Sequence, residues 1–288
     1  MKKLLVHLDT DPHPSVFDVV VAYDGGVEHV ISLAGMRPES VAPPVDGAIF
    51  TRPPRSKRRT AIFVGGSDLD AGEALLSAVE SRFFSGFRVS VMLDSNGANT
   101  TAAAAIALLR ASGPLTGTRS LVLGGTGPVG RRSAALLALE GAEVSLASRS
   151  LERARAACSA ITARFGVVCH PVESTDLAAT AALAENVELL LAAGAPGATL
   201  LDEAAWRAIP ELTRIADLNT SPPAGIGGVA LHDRATDRAG KVTFGGIGVG
   251  ALKLRVQRAC IDALFERNDQ VFDAEAILAI AKSLATQT

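Results

Sequence analysis

Short apolar runs alternate with segments of helical spacing along nearly the whole chain of 288 residues. Runs bounded by Gly, Asp or Pro predict buried strands, and segments with apolar residues three and four positions apart predict helices between them. The predicted strands lie at 3–8, 29–33, 61–64, 89–93, 120–123, 143–147, 167–171, 187–192 and 214–218. This alternation is typical of parallel sheets covered by helices, so the predicted fold class is α/β.

The pattern restarts after Gly113-Pro114, which favours two domains. We predict an N-terminal α/β substrate domain over 1–110, completed by the C-terminal helix at 270–288, and a second domain over 111–269. Residues 35–59 contain five prolines and are expected to be irregular. The stretch 224–250 is rich in glycine, and we expect many of these small residues to face a ligand.

The strongest site signal directly follows the strand at 120–123. Gly125-Thr126-Gly127-Pro128-Val129-Gly130 forms a GxGxxG pattern between that strand and a predicted helix. In a Rossmann-type domain the first glycine makes the tight turn, the second admits the pyrophosphate and the third allows close packing. We therefore predict dinucleotide binding by residues 111–269. The alternative is a purely structural glycine turn.

The next strand indicates which dinucleotide is bound. It ends in Ser148-Arg149-Ser150, and Arg149 lies 19 positions after Gly130, where an NAD-binding domain carries Asp or Glu. An arginine and two hydroxyls would bind the 2′-phosphate of NADP, with Arg153 as a second contact. The alternative is that Arg149 is a solvated residue at a helix start. Ala193, Gly194 and Asn219 follow later strands and are expected to line the nicotinamide pocket.

Composition excludes several classes of protein. The chain is 48% hydrophobic with a formal net charge of -2, so it can form a large core and has no basic footprint for nucleic acid. No apolar run reaches the roughly 18 residues that indicate a membrane span. Met1-Lys2-Lys3 followed by Leu4-Leu5-Val6 resembles the start of a signal peptide, but His7, Asp9 and Asp11 make the apolar run far too short for one. A cytoplasmic protein is expected.

Cysteine and histidine spacing argues against a metal site. Cys158, Cys169 and Cys260 have no CxxC spacing and are expected to be small core residues. The five histidines form no HxH or HExxH pair, so no bound metal is predicted.

Polar clusters at two predicted strand ends of the first half are candidates for substrate binding. One contains Ser15 and Asp18, and the other contains Asp94, Asn96 and Asn99. Ser15 and Asn99 could instead be helix caps that need no ligand.

Several segments resemble, in the same order, the NADP-dependent methylene-tetrahydromethanopterin / methylene-tetrahydrofolate dehydrogenases of methylotrophic bacteria. They are Pro14 to Val21, Ala61 to Gly66, Met92 to Thr101, Gly125 to Gly130, Pro222 to Gly228 and Gly248 to Lys253. The resemblance implies oxidation of a methylene-tetrahydropterin one-carbon carrier to its methenyl form, with hydride transfer to NADP⁺. It also implies a bilobal fold with the active site in the cleft, and a homo-oligomer, either a trimer or a hexamer.

The resemblance also implies roles for individual residues. By similarity, Asp18, Asp94 and Asn96 would face the pterin, and the lysine near the family's active site falls on Lys253. A cation beside a developing cation would oppose the chemistry, so we favour substrate positioning by Lys253. Related folate dehydrogenase-cyclohydrolases carry a Tyr-x-x-x-Lys pair, whereas Tyr23 is followed by Val27 here. We therefore predict a dehydrogenase without cyclohydrolase activity.

Three questions stay open at this point. A shikimate-type NADP-dependent dehydrogenase would need a Lys-Asp pair, for which Lys253 and Asp94 are available. A non-enzymatic NADP-sensing protein would not need the polar clusters of the first half. The run 52–59 has five basic residues, and it could be a solvated loop, a contact for an acidic cofactor tail or, least favoured, a nucleic-acid contact.

Overall fold

A computed structural model of the protein describes residues 1–286. Gln287 and Thr288, which end the predicted C-terminal helical segment, lie outside the described residues. The chain forms two compact units. The first unit comprises Met1–Thr100 and Leu254–Ile280, and the second comprises Thr101–Lys253 and the residues from Ala281 onward.

Alternating strands and helices fill the described residues, so the expected α/β class is confirmed. The strands are β1 (Leu4–Asp9), β2 (His29–Leu33), β3 (Thr60–Gly65), β4 (Ser90–Leu93), β5 (Arg119–Leu123), β6 (Glu143–Ser148), β7 (His170–Glu173), β8 (Leu189–Ala192), β9 (Arg214–Asp217), β10 (Thr236–Arg238), β11 (Lys241–Phe244) and β12 (Val271–Phe272). The helices are α1 (Val16–Asp24), α2 (Ala42–Phe50), α3 (Leu69–Ser81), α4 (Ala98–Ala111), α5 (Pro128–Leu139), α6 (Leu151–Phe165), α7 (Leu177–Ala184), α8 (Glu203–Arg207), α9 (Gly246–Ala263) and α10 (Ala274–Ala285).

The unit boundaries differ from the predicted positions 110 and 269. They fall after Thr100 and Lys253, inside helices α4 and α9. A helix that continues from one unit into the next leaves no Gly- or Pro-rich linker, so the sequence carries no composition change at these two points.

Helix α2 lies in the segment expected to be irregular. Pro43 and Pro44 fall in its first turn. Backbone N–H groups there have no partner within the helix, so a proline costs no hydrogen bond. The helix then buries Val45, Ala48 and Ile49 against the first sheet. Prolines that read as helix breakers are therefore part of a helix start.

The first unit contains a parallel sheet in the order β12-β4-β3-β1-β2. Alternate residues of β1 point to opposite faces. One face joins the apolar core through Val6 and Leu8. The other carries His7 and Asp9, each 1% exposed. The strand order reverses between β1 and β3, which is where ligands gather in open α/β sheets.

The second unit contains a seven-stranded sheet in the order β10-β11-β9-β8-β5-β6-β7. All its pairs are parallel except β10 with β11. The chain runs outward from β5 through β6 and β7, and then returns to β8 on the other side. The order therefore reverses between β5 and β8, as in a Rossmann-type sheet.

The basic run 52–59 uses part of its charge inside the protein. Lys57 is 2% exposed, donates to the carbonyl of Ile49 and lies 4.4 Å above the ring of Phe87. Arg52 Nη1 donates to the carbonyls of Lys2 and Arg59, both at 2.9 Å. Two of the five basic residues are thus structural.

The three cysteines are buried, as the sequence predicts. Burial raises the pKa of each thiol, and it raises that of Cys169 to about 12, with a further contribution from Cys158. Among residues 1–286, no set of three or more His, Cys, Asp and Glu side chains is placed to hold a metal ion. No described helix has both the length and the apolarity to cross a membrane.

Candidate active site

A tight glycine turn follows β5, and the residue that makes it is Gly124 rather than the predicted Gly125. Gly124 has the left-handed backbone, with φ of 67°, and a Cβ there would lie 2.6 Å from Gly194 Cα. The sequence prediction gave the tight turn to Gly125. That residue instead admits β6, because a Cβ on it would lie 2.5 Å from Leu146 Cγ.

The start of α5 provides open backbone donors. Gly127 is the N-cap residue, no side chain caps the helix, and Pro128 opens its first turn. Arg131 N donates to Gly127 O at 2.9 Å. The amides of Val129 and Gly130 precede that bond and have no partner within the helix, as at any helix start. A Cβ on Gly130 would lie 2.5 Å from Gly124 O, so this glycine allows the close packing predicted for it.

A cavity of about 640 Å³ opens at the carboxyl ends of β5, β6 and β8. Eight predicted cofactor residues line it, namely Thr126, Gly127, Ser148, Arg149, Ser150, Arg153, Ala193 and Gly194. Of the remaining lining residues, Ala195 belongs to the same predicted loop as Ala193 and Gly194. Sequence reasoning missed the others, which are Leu123, Gly124, Ala147, Ser174, Ala198 and Leu200. The lining does not include the predicted residues Gly125, Pro128, Val129, Gly130 and Asn219.

One end of this cavity is basic and rich in hydroxyls. Arg149 and Arg153 are exposed there. In the part of the chain that the structure describes, neither guanidinium is held in an ion pair. Ser150 caps α6 by accepting from Arg153 N at 3.4 Å, and Ser148 Oγ accepts from Ser150 N at 3.3 Å. Two cations and several hydroxyls are the groups that hold a phosphate monoester.

Asn219 is internal rather than ligand-facing, which corrects the prediction. It is 6% exposed, its Nδ2 donates to Pro223 O at 3.0 Å, and its Oδ1 accepts from Ser221 N at 3.1 Å. Its carboxamide therefore holds the loop after β9. The preceding Asp217 accepts from Asn219 N and Ile226 N, and burial raises the pKa of its carboxyl against these bonds.

The glycines before and within the start of α9 serve packing, which also corrects an expectation. A Cβ on Gly245, Gly246 or Gly248 would lie 2.3 Å or less from a backbone oxygen of Ala230, Asn219 or Asp233, respectively. The absence of side chains lets α9 begin directly against two neighbouring loops. Lys253, later on this helix, is 9% exposed.

Two predicted substrate residues of the first unit are buried at the end of β4. Asp94 is 0% exposed and accepts from Thr100 N at 3.0 Å and from Thr100 Oγ1 at 2.6 Å. Asn99 is also 0% exposed, and its Nδ2 donates to Leu93 O at 2.6 Å. Asp94 accepts from a first-turn N–H of α4 as a capping group does, whereas Asn99 lies inside that turn and donates back to the end of β4, so its predicted capping role is not the one observed.

The other three predicted substrate residues reach the surface. Ser15 is the N-cap of α1, and its Oγ accepts from Asp18 N at 3.2 Å. Asp18 is half-buried, and its Oδ1 accepts from Gln257 Nε2 at 2.9 Å. Asn96 is exposed with φ of 55°, and its N–H donates to Gly66 O at 2.6 Å. Sequence reasoning missed the neighbouring Asp9, although a carboxylate ending an apolar strand is a usable signal.

The sheet order and the cavity define a Rossmann-type dinucleotide-binding protein. A family model described as methylene-tetrahydromethanopterin dehydrogenase, N-terminal, matches residues 16–96. The bifunctional protein MdtA of Methylorubrum extorquens is 50% identical over 286 residues, which cover 99% of each chain. The NAD(P)-dependent methylenetetrahydromethanopterin dehydrogenase of the same organism is 32% identical over 88% of this chain and 86% of its own length. The chain therefore belongs to the methylene-tetrahydromethanopterin dehydrogenase family.

Solved structures resemble the fold at low sequence identity. Shikimate 5-dehydrogenase from Listeria monocytogenes superposes with a TM-score of 0.56, covering 97% of this chain and 96% of its own, at 13% identity. At this low sequence identity the similarity concerns the fold alone.

Proposed function

We propose that the protein is an NADP-dependent dehydrogenase that oxidises the methylene group of a tetrahydropterin one-carbon carrier, methylene-tetrahydromethanopterin or methylene-tetrahydrofolate, to the methenyl form. The carbon loses a hydride, which NADP⁺ accepts, and the two flanking nitrogens stabilise the cation that remains. The observation that carries the proposal is the basic, hydroxyl-rich end of the cavity, in a chain 50% identical to MdtA over nearly its whole length.

Different residues at the cavity would bind different parts of NADP. The amides at the start of α5 would bind the pyrophosphate, since a helix N-terminus offers unpaired donors and a partial positive charge. Arg149 and Arg153, with Ser148 and Ser150, would bind the 2′-phosphate. Ala193 and Gly194 would leave room for the ribose and nicotinamide because they carry almost no side chain.

The first unit would hold the carrier. We propose direct contacts for Ser15, Asp18 and Asn96, which reach the surface. Asp94 and Asn99 would hold the conformation of the segment between β4 and α4, which carries Asn96. Lys253 would orient the carrier through an oxygen of the pterin or a nearby carboxylate. Hydride transfer needs donor and acceptor carbons in line at close range, so positioning can supply most of the catalysis.

We further propose that the protein is cytoplasmic and forms a homo-oligomer, either a trimer or a hexamer. Light scattering coupled to size-exclusion chromatography measures the mass directly, against 29.6 kDa for one chain. A single-chain mass at assay concentration would exclude this part of the proposal and leave the reaction untouched.

One assay separates the candidate functions. The absorbance of NADPH would follow NADP⁺ reduction with methylene-tetrahydromethanopterin, methylene-tetrahydrofolate or shikimate as the donor. Turnover with at least one pterin carrier is expected. Turnover with shikimate alone would favour a shikimate-type dehydrogenase, and NADP binding without turnover would favour a sensing protein.

A further inference from the structure

A buried carboxylate closes the end of β1, where the first sheet reverses its order. Asp9 is 1% exposed. Its Oδ1 accepts from Asp11 N at 2.8 Å, and its Oδ2 accepts from Ser15 N at 2.9 Å. Charge-assisted bonds of this kind are among the stronger hydrogen bonds in proteins. They fold residues 10–15 back over the strand end and fix the residue at which α1 begins.

A buried histidine stands behind this carboxylate. His7 Nε2 lies 3.3 Å from Asp9 Oδ2, and Nδ1 lies 3.3 Å from Ser32 Oγ. The ring packs edge-on against Phe63, with centroids 5.5 Å apart. Gly65 leaves the space for this pair, because a Cβ there would lie 2.8 Å from His7 Nε2. Asp9 is therefore enclosed on the side away from the loop and has little freedom to move.

The contacts of Asp9 continue to a proposed carrier contact. Ser15 N donates to Asp9, and the Ser15 hydroxyl in turn accepts a hydrogen bond from Asp18 N. Gln257 then holds Oδ1 of the Asp18 carboxylate. A pterin ring carries adjacent N–H donors, which match the acceptors of a carboxylate. The orientation of Asp18 thus depends on where Asp9 fixes the start of α1.

We propose that Asp9 is a positioning residue for the carrier site, holding Ser15 and the first turn of α1 so that Asp18 meets the pterin in a fixed orientation. This inference rests on the proposed function. Asp9 is 1% exposed, so it would act through the loop and not by touching the carrier. Its loss would affect binding of the carrier and leave binding of NADP unchanged.

Asp9→Asn tests this role with almost no change of shape. We expect the KM for the carrier to rise roughly tenfold, since one charge-assisted bond to the loop is lost, with the KM for NADP⁺ unchanged. Asp217→Asn is the matched control, because Asp217 is 2% exposed and also anchors a loop by accepting backbone N–H groups. It should leave the carrier KM unchanged. A folded Asp9→Asn enzyme with an unchanged carrier KM would overturn the proposal.

A second pair of variants removes the bond from the donor side. Ser15 has φ of -63°, so Ser15→Pro preserves the backbone angle and deletes the N–H, while Ser15→Ala keeps the N–H. Both lose the hydroxyl, so the difference between them reports the bond to Asp9. A higher carrier KM for the proline variant is expected, and equal values would refute the role.

Amide hydrogen exchange separates this inference from the proposed function. Faster exchange at the Ser15 amide in Asp9→Asn than in the wild type is expected whether or not a carrier has been found, because the new side-chain NH2 cannot accept from Ser15 N. Wild-type protein without turnover on any carrier would exclude the proposed function alone. Unchanged exchange at Ser15 would exclude the positioning role alone.

Discussion

Gly124 and Gly194 approach so closely that a Cβ on Gly124 would lie 2.6 Å from Gly194 Cα. This approach joins the turn after β5 to the loop after β8 at the reversal of strand order. Both residues line the cavity, so backbone rather than side chains forms its wall at this point. A dinucleotide can therefore lie close to peptide groups on both sides of the reversal.

Gly124→Ala should destabilise the protein by roughly 2–5 kcal/mol and weaken NADP binding, because it adds backbone strain and a steric overlap. Gly117→Ala is the control. Its φ is 72°, but nothing lies within 4 Å of the added Cβ, so this variant should be destabilised by backbone strain alone. Denaturant unfolding and NADP titration measure both effects. Equal losses in the two variants would remove the overlap as a cause.

Arg149→Asp should lower kcat/KM for NADP⁺ roughly 10- to 100-fold, since a charged contact to the 2′-phosphate is replaced by repulsion. Use of NAD⁺ should change much less. Arg155→Asp makes the same charge change at an exposed position of α6 that does not line the cavity. Steady-state kinetics with both cofactors decide this, and an equal loss for NADP⁺ and NAD⁺ would refute the assignment.

Lys253→Ala should raise the KM for the carrier by about tenfold, because a positioning contact is lost before the chemical step. Lys253→Arg should recover part of that loss by retaining the charge. The KM for NADP⁺ should be unchanged in both variants. A carrier KM and a kcat at wild-type values in Lys253→Ala would exclude Lys253 from the site.

The purified enzyme should not hydrolyse the methenyl product, because the Tyr-x-x-x-Lys pair is absent at Tyr23. Loss of methenyl absorbance is measured with and without enzyme. An enzyme-dependent rate above the spontaneous one would contradict this expectation.

The stability of the fold should depend on His7 at mildly acidic pH. Burial lowers the pKa of His7 below its ordinary 6.5, against the attraction of Asp9 and Asp18. The unfolded chain therefore binds a proton that the fold excludes, and stability falls as the pH drops from 6.5 toward the folded-state pKa. His7→Gln should reduce the difference in unfolding free energy between about pH 7.5 and about pH 5.5. Denaturant unfolding at both pH values measures this difference, and an unchanged difference in His7→Gln would contradict the expectation.

Local sequence signals predicted eight of the residues that line the cavity. The glycine turn and the residues 148–150 are fixed by one strand, one turn and the next strand, so spacing alone places them. Ser174 escaped prediction because it reaches the cavity only through the pairing of β7 with β6, which the sequence does not specify.

Polar residues after strands were harder to assign. Asp94, Asn99 and Asn219 have the same residue types as ligand contacts, but their side chains turn inward to satisfy backbone groups. Sequence spacing gives the position of such a residue and says nothing of its rotamer. Ser15 and Asp18 differ only in that the start of α1 lies at the surface.

The three buried cysteines have a practical consequence. Thiols with raised pKa values and little exposure to solvent are poor nucleophiles toward alkylating or oxidising reagents. We therefore expect the folded protein to react slowly with such reagents. A cysteine introduced at Gly86, where an added Cβ meets nothing within 4 Å, would be a selective attachment point for a fluorescent label without removing any native thiol.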